Sequence, residues 1–559
     1  MTPRSPAFGP GLVLLLALVA GGWLLQRGVE QDQNVYVQAR LLQEVVDHIA
    51  EQFVEPVERG SLYDSAIDGM IRGLGDPNSS LLVAEDYENF RIQTEGDYGG
   101  VGLEIVDRDD HITVVSPLPG TPGFRAGIRA GDQIVEVEGQ STRGWTSQQA
   151  VQILRGRPGS EARVKILRPG MEEPTELTLV RERVQLRSVP FAVLLEGEIG
   201  YVPLDLFSET STEEVRAAVD SLRSEGARSL ILDLRGNPGG ILDQGIGIAD
   251  LFLDRGAAVA ETRGQDDVQE GRFRARGDDQ MEGLPLVVLL DQGSASASEI
   301  VAGALQDHDR AVVLGTPSFG KGSVQTLFQL TGGNVLKLTT ARWYTPRGRS
   351  IEGGHSVGED ANGDVPRALT VSGQYVRIPE MDGRPSVTSY AGRDLLGGGG
   401  IVPDLIVLPD TLSAEERRAV QDLYGDLGLI GSEVFNFAVR YLQEREASPG
   451  FALTDGELAA FFSGLDPDVD RGALLGADRY LRRQLESTIL VQSGGERAAF
   501  LHEVTSDVPL RRALELLNGV EGREELFVRA GSPIPDGALA AALDGPEPNA
   551  PSSDSRADR

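Results

Sequence analysis

Three short segments carry residues that do chemistry. The first is Asp291-Gln292-Gly293-Ser294-Ala295-Ser296-Ala297-Ser298-Glu299, which follows an apolar run and opens a helical one. A serine on a strand-to-helix turn is placed to act as a nucleophile, because the amino end of a helix offers unpaired N–H groups and a dipole that favours an oxyanion. The same residues also read as a small-residue helix cap, since serine is a preferred N-cap. A serine nucleophile needs a base. The second segment, Ser318-Phe319-Gly320-Lys321-Gly322-Ser323-Val324-Gln325, supplies a lysine between two glycines at the mouth of a strand. In an extended chain residues 321, 323 and 325 share a face, so Gln325 can reach along it to hold the amine. A lysine base must be neutral near pH 7, which requires desolvation. The third segment, Asp233-Leu234-Arg235-Gly236-Asn237-Pro238-Gly239-Gly240, is a strand end running into a glycine turn, where close backbone approach can present N–H donors to a carbonyl. Read alone, it is an ordinary strand-to-helix loop.

Composition sharpens the lysine. Of 52 basic residues only Lys165, Lys321 and Lys337 are lysine. Arginine cannot give up its proton in a protein and lysine can, so a lysine in a chain built on arginine marks a position where deprotonation matters. A phosphate-binding role fits poorly: Gly315 and Gly320-Lys321 match the start of a Walker loop, but Gly322 stands where Ser or Thr is required. The 85 acidic residues against 52 basic ones leave a net charge of −33, which repels phosphate backbones and argues against nucleic acid. Without cysteine there are no disulfides, thiolate nucleophiles or Cys-held metals. The five histidines, at 48, 111, 308, 355 and 502, form no helical metal motif.

These segments need a scaffold. Residues 183–410 alternate buried-strand runs (Ile199–Leu204, Ser229–Leu234, Leu286–Leu290, Ala311–Leu314, Val335–Thr340) with helical stretches (Thr212–Ser224, Gly245–Phe252, Ser298–Gln306), the rhythm of parallel strands joined by helices. Gly264–Gly283 reads as a charged surface loop and residues 353–400 as a long insertion. Before this core, residues 97–182 alternate as strands around a helix at Ser147–Leu154, a β-rich module. Residues 31–96 read as helical, with Leu41, Leu42, Val45, Val46, Ile49 and Phe53 on one face. Amphipathic helices return over 411–542, and the Pro/Ser/Asp-rich stretch 543–559 reads as a disordered tail. At the start, Ser5 to Gln26 is uncharged, and Phe8 to Leu25 as a helix spans ~27 Å, close to a bilayer's hydrocarbon thickness. Residues 1–30 therefore read as a signal-anchor or signal peptide; a poor small-residue cleavage site favours the anchor.

Taken together, Asp-Leu-Arg-Gly-Asn-Pro-Gly-Gly, Gly-Ser-Ala-Ser-Ala-Ser-Glu and Phe-Gly-Lys-Gly-Ser-Val-Gln resemble the carboxyl-terminal processing, or tail-specific, proteases. These are serine–lysine peptidases with an inserted PDZ domain. The resemblance covers about residues 35–410 and rests on both order and spacing, with 25 positions from Ser296 to Lys321. It implies an α/β (α+β multidomain) chain: a crotonase-like/ClpP-like protease core, the PDZ domain inserted, and helical regions at the flanks. It puts the nucleophile on Ser296 rather than Ser294 or Ser298, the general base on Lys321 and its orienting partner on Gln325. The oxyanion hole would fall on the N–H of Ala297 and of a glycine in the Gly239-Gly240 pair. Tyr98-Gly99-Gly100-Val101-Gly102-Leu103 is similar to a PDZ carboxylate loop, so Val101, Gly102 and Leu103 would cradle a peptide's terminal carboxylate and an extended tail would add a strand beside Leu103–Ile105. Arg155 resembles the family arginine that couples the bound tail to the active site. The resemblance implies no metal and no cofactor. Two departures stand out: the insertion at 353–400, which alters the active-site rim, and the long carboxyl-terminal helical region, which would serve homo-oligomerisation or adaptor binding.

The expectation is thus a serine endopeptidase of the cell envelope, anchored in the inner membrane facing the periplasm or exported, acting on proteins with exposed carboxyl termini. Three rivals stand beside it. A Ser–His hydrolase would have to use His308. A crotonase-like acyl-CoA enzyme shares the core topology but not the β module. A non-catalytic PDZ scaffold on a protease-like fold would tolerate loss of Ser296 or Lys321, and both are present.

Overall fold

The structure, a computed structural model, describes residues 35–534 apart from 109, 282, 354–366, 380, 382, 424–426, 467, 468 and 533. The expected anchor (1–30) and tail (543–559) lie outside the described residues. Among the described residues no helix is long and apolar enough to cross a membrane.

The chain divides into two units. The smaller holds residues up to Val83 together with Leu327–Thr339. It is helical over 35–52 and Arg59–Arg72, and strand Ser80–Leu82 pairs antiparallel with Val335, Leu336 and Lys337. The amphipathic face expected on its first helix is there, but only Val46 is buried; Leu41 and Phe53 stay 58% and 56% exposed.

The larger unit contains the β-rich module, the α/β core and the carboxyl-terminal helices. In the module, strands Leu103–Arg108, His111–Pro117, Gln133–Val137, Glu161–Leu167 and Thr175–Val180 form an antiparallel sheet, with Leu103–Arg108 at its edge. Alternation produces this sheet: Ile112, Val114, Ile134, Val137 and Val164 point inward onto Ala150 and Leu154 of helix Ser147–Leu154. Thr146 and Gln149 close a capping box at the start of that helix.

The α/β core is a six-stranded sheet in the order Val193–Leu195, Ile199–Pro203, Ser229–Asp233, Leu286–Leu290, Val312–Gly315, Leu405–Ile406. All neighbours are parallel except the first pair. Strands such as Leu286–Leu290 are buried at every residue, because both faces are covered. Helices Ser211–Ser224, Leu242–Asp250 and Ala297–Asp307 pack on one face. Helices Val508–Leu517 and Arg523–Arg529, with Phe500, pack on the other.

Two expectations are corrected. Val335–Tyr344 is not a parallel core strand: its burial is mixed, and its end pairs antiparallel with Glu261–Arg263. An apolar run cannot by itself say which sheet it joins. Within the supposed loop Gly264–Gly283, Gln269–Arg274 is a strand paired antiparallel with Ala258–Arg263; its charged residues face solvent and mask the alternation. The insertion at 353–400 forms two small hairpins, Arg367–Leu369 with Tyr375–Arg377 and Ser386–Thr388 with Asp394–Leu396. Buried ion pairs fasten it to the core: Arg393 reaches Asp309 at 2.5 Å and Asp404 at 2.6 Å.

Candidate active site

Parallel pairing brings the three segments together. Strands Ser229–Asp233, Leu286–Leu290 and Val312–Gly315 are neighbours running the same way, so the chain following each emerges at one edge of the sheet. These are the Asp233–Gly240, Asp291–Glu299 and Ser318–Gln325 segments. The carboxyl ends of parallel strands are where open α/β sheets build their sites.

The three serines of the central segment are sorted by burial. Ser294 and Ser298 are fully buried, their hydroxyls donating to Leu234 O at 2.8 Å and Asn237 O at 3.0 Å. Ser296 between them is only half-buried. Its backbone sits at φ 52° and ψ −110°, outside the regions a serine favours, at a cost of about 1–3 kcal/mol. Local bonds hold that turn: Ser296 N donates to Glu299 Oε2 at 2.7 Å, and Ala295 N donates to Asn237 O at 3.0 Å. Ala297 is the first residue of helix Ala297–Asp307, so its N–H lies at the helix's amino end.

The glycine turn lies against this serine. A Cβ on Gly239 would fall 2.8 Å from Ser296 Cβ and 2.9 Å from Ala297 N, and its φ of +92° suits glycine. The structure also separates the two glycines. Gly239 N donates to Asn237 Oδ1 at 2.8 Å, while Gly240 packs on Phe207 O. Asp291 joins the Asp233–Gly240 and Asp291–Glu299 segments by accepting from Gly236 N at 2.8 Å and Gly293 N at 2.9 Å.

Lys321 is half-buried, its carbonyl accepting from Trp343 Nε1 at 3.1 Å. Its loop is bound to the serine loop directly, Phe319 N donating to Ser294 O at 2.9 Å. Gln325 Nε2 donates to Ser323 Oγ at 2.9 Å, which keeps it on the face expected from the extended spacing. Both ends of the insertion return to this loop: Gly353 N donates to Gly320 O at 3.0 Å, and Ile401 N to Ser318 Oγ at 2.7 Å.

The residue that sequence reasoning missed is Glu299. Its carboxylate is fully buried and takes four donors: Ser318 Oγ at 2.6 Å and Gly320 N at 2.7 Å on Oε1, Ser296 N at 2.7 Å and Lys321 N at 3.0 Å on Oε2. One oxygen thus touches the backbones of both Ser296 and Lys321. Burial pushes its pKa up to about 7, while the four hydrogen bonds pull the other way. The only local signal was a capping-box glutamate three residues after a serine, which reads as a helix start. His308 caps the far end of the helix that begins after Ser296, about 16 Å along it, and its Nε2 is engaged with Ala258 O at 2.7 Å. That removes the Ser–His rival.

In the β-rich module, Val101, Gly102, Leu103 and Arg155 line one cavity of about 290 Å³, with Ile105, Val151 and Leu154 completing its apolar wall. Gly102 has φ +71°, and a Cβ there would strike Thr121 at 2.3 Å. Arg155 donates to Asn89 Oδ1 at 2.9 Å and lies 5.2 Å from the Tyr98 ring centre.

Three stretches of the chain match models of known protein families. The model of peptidase family S41 matches residues 198–361, the PDZ domain model residues 113–168, and that of the activating protease CtpB N-terminal domain residues 24–85. The carboxy-terminal-processing protease of Bartonella bacilliformis is 41% identical over 326 residues, covering 58% of this chain and 74% of its own. The carboxy-terminal processing protease CtpA of Bacillus subtilis is 32% identical over 341 residues, covering 61% and 71%. Among solved structures, the photosystem II D1 C-terminal processing protease is 33% identical over 55% of this chain and 82% of its own, with a TM-score of 0.33. The α/β core and its module are therefore those of a PDZ-bearing serine-type peptidase. More closely, the chain belongs to the carboxy-terminal-processing proteases of family S41.

Proposed function

We propose that this chain is an envelope endopeptidase that takes the free carboxyl terminus of a protein into its PDZ groove and cleaves with a Ser296–Lys321 dyad. A neutral Lys321, oriented by Gln325, accepts the Ser296 hydroxyl proton as Oγ attacks the peptide carbonyl. The N–H of Ala297 and one from the Gly239-Gly240 turn stabilise the oxyanion. The tetrahedral species then collapses, breaking the C–N bond, and the Lys321 ammonium gives its proton to the leaving amine. Water, deprotonated by Lys321, releases the acyl group. The N–H groups of Val101, Gly102 and Leu103 take the tail's carboxylate, the tail pairs along the edge strand Leu103–Arg108, and Arg155 stands at the groove's wall to relay its occupancy. Phe8 to Leu25 tethers the enzyme to the membrane.

The observation that carries the reading is the shared carboxylate oxygen: Ser296 N and Lys321 N both donate to Glu299 Oε2, at 2.7 and 3.0 Å. The test is cleavage of an unfolded protein with an apolar tail. Ser296→Ala and Lys321→Arg are each expected to remain folded and to lose more than about 1000-fold in turnover. The arginine variant keeps the charge but has no accessible neutral form. Wild-type turnover in either variant would overturn the dyad.

A further inference from the structure

The loop that ends at Gly239-Gly240 is held from outside the α/β core. Arg235 Nη1 reaches Asp507 Oδ1 at 3.0 Å and Nη2 reaches Oδ2 at 2.8 Å, a two-pronged pairing with one carboxylate. Arg235 also reaches back to Asp233, Nη2 to Oδ2 at 2.6 Å. The Tyr201 hydroxyl donates to the same Asp233 oxygen at 2.7 Å, and the Tyr201 ring stacks on Phe500 at 4.1 Å. Asp507 and Phe500 belong to the carboxyl-terminal helical region; Asp507 lies 272 positions from Arg235. The side chains are 22% exposed for Arg235, 19% for Asp507 and 7% for Asp233. Charged bonds so shielded are stronger and more directional than surface pairs.

Past Arg235 there is little slack before the nucleophile. Ser294 Oγ donates to Leu234 O at 2.8 Å, Gly236 N to Asp291 Oδ1 at 2.8 Å, and Ala295 N to Asn237 O at 3.0 Å. A shift of the Arg235 guanidinium therefore passes through fixed contacts to the turn that faces Ser296. Helix capping alone does not explain the arrangement. Asp507 does cap helix Val508–Leu517 by accepting from Leu510 N at 3.0 Å. Asp470 does the equivalent for helix Arg471–Gly476, accepting from Gly472 N at 2.7 Å. Asp507 has the second, two-pronged engagement with the core in addition.

We propose that Asp507 is a positioning residue for the oxyanion turn: through Arg235, the carboxyl-terminal helices set the loop that carries Gly239 and Gly240 against Ser296. The inference rests on the Ser296 reading above. Asp507 reaches that turn through Arg235, so the effect expected of it is on the rate of bond making and not on tail binding.

The test uses the full chain carrying Asp507→Asn, with Asp470→Asn as control. Asparagine caps helices as well as aspartate, so the helix start is kept while the charged fork is lost. Each protein is assayed well below its own melting temperature, so that unfolding does not enter. Asp507→Asn is expected to lower kcat, and the rate at which a fluorophosphonate labels Ser296, by about 10- to 100-fold, with KM little changed. Asp470→Asn is expected to stay within twofold of wild type. Wild-type kcat and labelling in Asp507→Asn would overturn the proposal, as would an equal loss in the control or a change confined to KM. Wild-type turnover in Ser296→Ala would instead defeat the dyad reading beneath it, a separate outcome.

Discussion

Three of the four donors on Glu299 are backbone N–H groups, which cannot turn away if the carboxylate takes up a proton. The ionised form fits the site, yet burial pushes the pKa to about 7 from an ordinary 4.5. The folded protein therefore holds this proton more tightly than the unfolded chain. Stability from that proton is complete below pH 4.5 and is lost as pH rises through about 7. Glu299→Gln has no such loss, so the melting temperature of the variant minus that of wild type should climb between about pH 5 and pH 8. Parallel melting curves across that range would show that Glu299 does not titrate there. Activity should run the other way in wild type, falling on acidification through about pH 7 as the link between Ser296 and Lys321 is protonated. At this scale the residue types were legible: serine, a rare lysine and paired glycines. Which of three serines stays open was not readable from residue chemistry alone, because the two buried hydroxyls find acceptors, Leu234 O and Asn237 O, on another loop.

Elements place these residues. Among the described residues, the edge strand Leu103–Arg108 pairs in its sheet only with His111–Pro117, so its other side can take an incoming strand. The glycine-rich loop Tyr98–Gly102 precedes it, and apolar Leu103, Ile105, Val151 and Leu154 wall the cavity. A tail with a free carboxylate should thus be cleaved faster than its amidated form. Losing one charged acceptor is worth about 10-fold in kcat/KM, and the measurement is a competition between the two peptides. Equal rates would remove tail reading from the mechanism. The alternating strands of this module and the solid apolar strands of the core were legible because their period depends only on near neighbours. Gln269–Arg274 was not, because its exposed positions are charged and its partner strand supplies the pairing.

At the scale of the molecule, the anchor reading belongs to Phe8 to Leu25, an uncharged stretch long enough for a bilayer. The intact chain should stay with membranes through an alkaline carbonate wash, and a chain lacking residues 1–30 should be released; release of both would end the anchor reading. For the carboxyl-terminal helices the sequence suggested homo-oligomerisation or adaptor binding. In the fold, Leu510, Leu516, Leu517 and Phe527 cover Ile231, Val287, Leu289 and Leu314 on one face of the central sheet. Helices Val508–Leu517 and Arg523–Arg529 are thus part of the packing of the α/β core.

The chain's own spacing determined the chemistry available and the class of scaffold, since motifs, caps and hydrophobic periods are set within a few residues of one another. Only the tertiary structure decided that Glu299 spans the serine and lysine loops and that Asp507 grips Arg235. Those bonds join loops from different strands and a helix 272 positions away, and no local period records which distant partner a buried charge will meet.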